Sequence, residues 1–130
     1  ILDKLGMSAD EIATVCSAIG NHDESTAFPV NAVAAALILA DKTDVRRTRV
    51  RNRDKASFDI HDRVNYAVEK AATTLNAQEK AVVLTLTLDT EMSAVMDYFE
   101  IFLDRMLLCR KAAEKLGLSF RLVVNGQAVM

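Results

Sequence analysis

The segment from residue 81 to 88 constrains the fold most. Leu84, Leu86 and Leu88 alternate with Val83, Thr85 and Thr87, a period of two that only an extended strand can satisfy. Upstream, Ala71–Leu75 is separated from it by the polar stretch Asn76-Ala-Gln-Glu-Lys80, so the pair predicts a β-hairpin of residues 71–75 and 81–88. The period then lengthens. From Met92 to Leu116, Met92, Val95, Met96, Phe99, Phe102, Leu103, Met106, Leu107, Ala113 and Leu116 recur at helical spacing, with Gly117 as the stop. A second stripe of Tyr98, Ile101, Leu108 and Ala112 makes this helix apolar on more than one side. It is therefore expected to be sandwiched in the fold or to form an oligomer contact, a homodimer through helix 92–116. Phe120–Val124 reads as a further strand that ends in the turn signal Asn125-Gly126.

The first half is helical. Ile1-Leu2-x-x-Leu5-Gly6 reads as the last turn of a helix closed by glycine, which leads to the expectation of a C-terminal portion of a longer protein. Ser8 and Glu11 form a capping-box pattern, followed by Ile12, Val15, Cys16 and Ile19, predicting a helix over 9–19. A polar loop over 20–28 holds His22, Asp23 and Glu24, and Pro29 suits the first turn of the next helix. On that helix Val30, Val33, Ala34, Leu37, Ile38 and Asp41 share a face, and its alanines imply close packing on most sides. The arginine stretch 46–53 lacks apolar periodicity and reads as helix end and loop. A short helix follows Phe58-Asp-Ile-His61-Asp62, with Val64, Ala67 and Val68 on one face. The expected fold class is α+β, with helices over 1–68 and a β-β-α-β unit over 69–130.

Composition narrows the function classes. Of 130 residues, 51% are apolar and 26% charged, which is globular and not disordered. The longest uninterrupted apolar run, Ala32–Ala40, is too short to span a bilayer. Cys16 and Cys109 lie outside any Cys-x-x-Cys or Cys/His cluster and are expected to be buried thiols in a reducing, cytoplasmic setting. The net charge of −2 conceals a basic segment, Lys42, Arg46, Arg47, Arg49, Arg51, Arg53 and Lys55, after an acidic one. That balance argues against polymeric nucleic acid or a membrane surface as partner and leaves room for a local anion site.

Two residues stand out chemically. His22 lies just past one helix, and Asp41 interrupts an apolar face on the next. A carboxylate there is costly unless it meets a metal, a base or amide donors, and imidazole and carboxylate converging from two helices is a common way to hold a metal.

The stretch AIGNHDE…PVNAVAAALILADKTDVRRTRVRN…FDIHDRVNYAV, followed by MDYFEIFLDRMLLCRKAAEKLG, resembles the C-terminal part of HD-superfamily metal-dependent phosphohydrolases. Within them it is similar to a bacterial group with a small α+β extension. The resemblance implies an HD-type helical half-bundle over 1–68. It makes His22 and Asp41 ligands of a divalent metal (Mn, Fe, Mg or Zn), with a small phosphorylated substrate or nucleotide as partner. Metal-activated water would attack phosphorus. Asp44 would orient that water or bind in the outer shell, and Lys42 with Arg46, Arg47, Arg49 and Arg51 would neutralise phosphate charge. The family's first His and its His-Asp doublet precede this stretch, and neither His22-Asp23 nor His61-Asp62 matches the doublet's setting. The chain thus carries about half a metal site, and by itself it is expected to be inactive or nearly so. The alternative is a non-enzymatic dimerisation or ligand-sensing module built on the β-β-α-β unit.

Overall fold

The computed structural model describes residues 1–52 and 54–130, so Arg53 of the basic segment lies outside the described residues. After a single turn at Asp3–Leu5, closed by Gly6 in the left-handed region (φ 81°), helix α1 spans Ala9–Gly20. The capping box forms as expected. The Ser8 hydroxyl accepts from the Glu11 amide at 3.3 Å, and the Glu11 carboxylate accepts from the Ser8 N–H at 3.1 Å.

Helix α2 spans Ala32–Lys42, which corrects the expectation for Pro29. Asn31 caps the helix, its side-chain oxygen accepting from the Ala34 N–H at 2.8 Å. A capping amide satisfies one of the free first-turn donors, so it wins the boundary over a proline that only fits the helical φ. Pro29 is buried ahead of it. The face of α2 is also rotated from the expected one. Ala34, Ala35, Ile38, Leu39 and Lys42 are the buried set, whereas Val30 and Val33 are exposed. Alanines are small enough to bring a neighbouring helix close, and the larger valines face out.

Two short turns, Arg47–Arg49 and Lys55–Ser57, carry the basic segment to helix α3, Ile60–Ala67, capped by Asp59, which accepts from the Asp62 N–H at 2.7 Å. Val64, Ala67 and Val68 are buried as expected, although Val68 already opens strand β1, Val68–Asn76. Strand β2, Ala81–Leu88, pairs antiparallel with β1, which gives the expected hairpin; a bulge at Glu69 shifts the register near its open end. Val82, Leu84, Leu86 and Leu88 are buried on one side of β2, while Thr85 on the other is exposed.

Helix α4 spans Val95–Lys115 and starts after Met92, because the Asp97 carboxylate accepts from the Ala94 N–H at 3.0 Å and from the Ser93 hydroxyl at 3.1 Å. It ends in a Schellman arrangement: Leu118 N–H donates to Ala113 at 2.9 Å and Gly117 N–H to Glu114 at 3.0 Å, with Gly117 at φ 72°. Strand β3, Ser119–Val124, lies parallel to β2 through this α4 crossover, and β4, Gln127–Ala128, turns back through Asn125-Gly126, both at positive φ. The sheet order is β1-β2-β3-β4.

One hydrophobic core joins the two halves of the chain. Ile38, Leu39, Val45 and Val64 pack in the same cluster as Leu84, Leu86, Tyr98, Phe102, Met106 and Leu122. Of the two stripes on α4, neither alone is the core face. Tyr98, Phe102, Met106, Leu108, Cys109, Ala112 and Ala113 point inward, and Met96 and Leu103 from the first stripe point out, 73% and 43% exposed. The helix meets α2 and the sheet, whose combined surface subtends a broader arc than a single stripe.

Candidate functional site

Helix α1 ends at Gly20, and the loop behind it closes on itself where the Phe28 N–H donates to the Asn21 carbonyl at 3.1 Å. The loop carries His22 and Glu24. Its far side reaches the C-terminal end of α2, because the Glu24 carboxylate lies 3.7 Å from the Lys42 ammonium. The same Glu24 oxygen accepts from Arg105 on α4, through Nε and Nη2, each at 2.7 Å.

Lys42 is the most constrained charge here. Its side chain is only 7% exposed, and its ammonium donates to the Asp41 carboxylate at 2.6 Å. A buried ammonium without an anion would be expelled or deprotonated, so Asp41 and Glu24 are what permit its burial. Asp41 therefore meets a base, one of the three partners that make a carboxylate tolerable on this helix. Partial burial pushes the Asp41 carboxyl up. The Lys42 hydrogen bond and charge, with His22 and Arg49 adding to them, outweigh that and hold it below the ordinary carboxylate range.

The His22 ring is itself oriented. Its Nδ1 lies 2.6 Å from the Ile19 carbonyl oxygen. A carbonyl only accepts, so Nδ1 carries the proton, and in the neutral ring the lone pair sits on Nε2. A ring with Nε2 unprotonated is in the form that binds a metal or takes up a proton.

Asp44 lies beyond the helix. Arg46 Nε donates to one of its oxygens at 2.6 Å and Arg49 Nη1 to the other at 3.0 Å. The bond to Arg46 lowers its carboxyl most, and the bond to Arg49 adds to that against the opposing effect of burial. Asp44 and Arg46 line a cavity of about 530 Å³ with Leu39, Thr43, Ala71 and Thr73, between the end of α2 and strand β1. Arg47 is turned away from it. Its Nε donates to the Tyr66 carbonyl at 2.7 Å, its guanidinium lies 4.4 Å from the centre of the Tyr66 ring, and Glu69 is 3.9 Å distant. Arg51 is exposed. Of the four arginines expected to serve an anion, Arg46 and Arg49 converge on Asp44, and Arg47 serves the packing of α3 on β1.

His61 and Asp62 occupy the first turn of α3 and are held by its cap, away from the His22 loop in sequence and in bonding. Among the described residues no group of three His, Cys, Asp or Glu side chains comes together in a way that would hold a metal ion. His22 and Asp41 are a pair of candidate donors. They do not by themselves make a metal centre, which takes three or more protein ligands in a catalytic site. The cysteines diverge from expectation: Cys109 is buried, but Cys16 is exposed. The α1 face used for packing contains Ala18, and Cys16 falls outside it. Burial pushes the Cys109 thiol up to about 12, with the nearby Arg105 and Lys42 only partly opposing.

Two residues of this site had no signal in the sequence. Glu24 is one of several acids in a polar loop, and Arg105 is one cation on a long helix. Nothing local links two residues 81 positions apart.

Compared with protein families, with curated proteins and with solved structures, the chain gives no match. None of its helices is long and apolar enough to cross a membrane, among the described residues.

Proposed function

We propose that residues 1–68 are the C-terminal helices of an HD-type metal-dependent phosphohydrolase, that residues 69–130 are its α+β extension, and that the complete enzyme acts in the cytoplasm on a phosphate ester or nucleotide. One observation carries the reading. The loop that holds His22 reaches the end of α2, where its Glu24 lies 3.7 Å from the Lys42 ammonium that Asp41 binds at 2.6 Å, and His22 and Asp41 are the two residues that the family resemblance names as ligands. A bound divalent ion supplies a water of lowered pKa at neutral pH. The remaining ligands belong to the family's preceding His and His-Asp doublet. On this reading Asp44, held ionised by Arg46 and Arg49, lines the α2–β1 cavity, where it can accept a hydrogen bond from water.

The test is paramagnetic broadening by Mn²⁺ in NMR spectra of the 130-residue chain. Two donors bind weakly, so the expected result is broadening that centres on His22 and residues 40–42 and disappears in His22→Ala. Broadening that ignores these residues, or is unchanged by the substitution, overturns the assignment. A phosphatase turnover of the isolated chain that survives Asp41→Ala also contradicts it.

The second reading, a dimerisation module, is favoured by the exposure of Met96 and Leu103 on α4. Leu108, which the sequence offered for this contact, is in the core and Ile101 packs against it. Light scattering decides: a dimer that becomes monomeric with Met96→Glu and Leu103→Glu supports it, and a monomeric unmodified chain ends it.

A further inference from the structure

The anionic centre of the His22 loop is a single carboxylate that joins three elements. Glu24 receives Nε and Nη2 of Arg105 from α4 at 2.7 Å each and faces the buried Lys42 ammonium of α2 at 3.7 Å. Arg105 is itself packed, with its guanidinium 4.7 Å from the centre of the Phe102 ring, so it approaches as a fixed donor and not as a long mobile side chain. Both guanidinium N–H groups converge on one Glu24 oxygen, so two charge-assisted bonds fix its position. Two residues before Glu24, the His22 ring makes its bond to the Ile19 carbonyl. In the neutral ring that bond requires the Nδ1–H tautomer. An unconstrained imidazole in water favours the other tautomer, Nε2–H, which would leave no lone pair on Nε2. Something must therefore hold the loop in the conformation where Nδ1 meets the carbonyl.

We propose that Glu24 is a positioning residue: clamped between Arg105 and Lys42, it fixes the loop so that the neutral His22 ring stays in the Nδ1–H form, bonded to the Ile19 carbonyl. Through Arg105, the α4 helix of the β-β-α-β unit thus sets the chemical form of a histidine in the helical half. The inference concerns this chain's own residues and stands whether or not His22 binds a metal. The local bonds of the loop, Phe28 N–H to Asn21 and Thr26 N–H to Asp23, are the competing explanation, since they could hold the ring without Glu24.

Two-bond ¹H–¹⁵N correlation of the imidazole rings distinguishes them, at about pH 8.5, well above the ordinary histidine range. In the unmodified chain His22 is expected to be predominantly Nδ1–H, and the exposed His61 predominantly Nε2–H as an internal reference. In Glu24→Gln and in Arg105→Gln, His22 changes to predominantly Nε2–H while His61 stays as it was; Arg105→Lys, which keeps a cation for Glu24, retains a larger Nδ1–H share than Arg105→Gln. A His22 ring that remains Nδ1–H in both glutamine variants overturns the proposal in favour of the local loop bonds. So does an unmodified chain in which His22 is already Nε2–H. Because the clamp is approached from two elements, a folding defect in one variant leaves the other to decide. The Mn²⁺ experiment can fail without affecting this one, and the reverse.

Discussion

Asp41→Asn is expected to destabilise the protein more than Lys42→Met, although Lys42 is the more buried residue. The reason is what each change leaves behind. Asparagine keeps an acceptor for the Lys42 ammonium but removes the charge, so a cation only 7% exposed faces Glu24 alone at 3.7 Å. Fully buried pairs lose about 3–5 kcal/mol when one partner is removed. Asp41 and Glu24 are 37% and 45% exposed, so solvent screens part of the interaction, and about 1–2 kcal/mol is the expected loss. Methionine instead keeps the unbranched stem and removes the charge that needed compensation. The carboxylates it leaves are exposed enough to be hydrated, and Glu24 retains Arg105. A change within about 0.5 kcal/mol of zero follows. Urea unfolding at pH 7, monitored by circular dichroism, measures both, with unchanged m-values as the check on two-state behaviour. In the Lys42→Met background, Asp41→Asn should cost almost nothing, because the stranded cation is gone. The sign with pH is fixed too. Asp41 has a folded-state pKa below its ordinary value of 3.8, so its contribution is present above that value and is lost as pH falls through the folded-state pKa. The difference between the native chain and Asp41→Asn should close over the same acidic interval. A Lys42→Met loss larger than that of Asp41→Asn, or a difference between the native chain and Asp41→Asn that persists in acid, refutes the reasoning.

Asn125→Ala is expected to cost about 2–3 kcal/mol in the same urea assay, since it removes two side-chain bonds to Leu88, at 2.8 and 3.1 Å, and puts a Cβ residue without a local hydrogen bond at φ 49°. Asn125→Gly should recover the part that comes from the left-handed conformation, and equal losses for the two would show that the backbone conformation carries none of the cost. One thiol per folded chain should react with a thiol reagent at neutral pH, that of exposed Cys16, with the second released only on unfolding. Rapid reaction of both, or a rapid phase that survives Cys16→Ser, contradicts the burial of Cys109 and the upward shift that burial gives its thiol.

Much of the fold is legible because its determinants are neighbours along the chain. The Ser8/Glu11 capping box, the strand alternation over 82–88, the Gly117 stop and the Asn125-Gly126 turn each involve groups a few residues apart, and each forms where the pattern places it. The boundaries that moved, Asn31 in place of Pro29 and Asp97 setting the start of α4, were decided by which side chain satisfies the free first-turn amides. The site was half legible. His22 and Asp41 stand out as polar groups in telling positions, and their orientation does not.

The sequence by itself determined where helices, strands and turns form, since periodicity, capping and turn chemistry act within a few residues. Only the tertiary structure decided which helix faces are buried, that Lys42 lies inside and Met96 outside, and that Glu24 meets Arg105 across 81 residues. The physical reason is that an amphipathic pattern states how much surface a helix can bury but not what it meets. A charge takes its character from the groups that replace its water, and here those groups come from α2, α4 and the loop between α1 and α2.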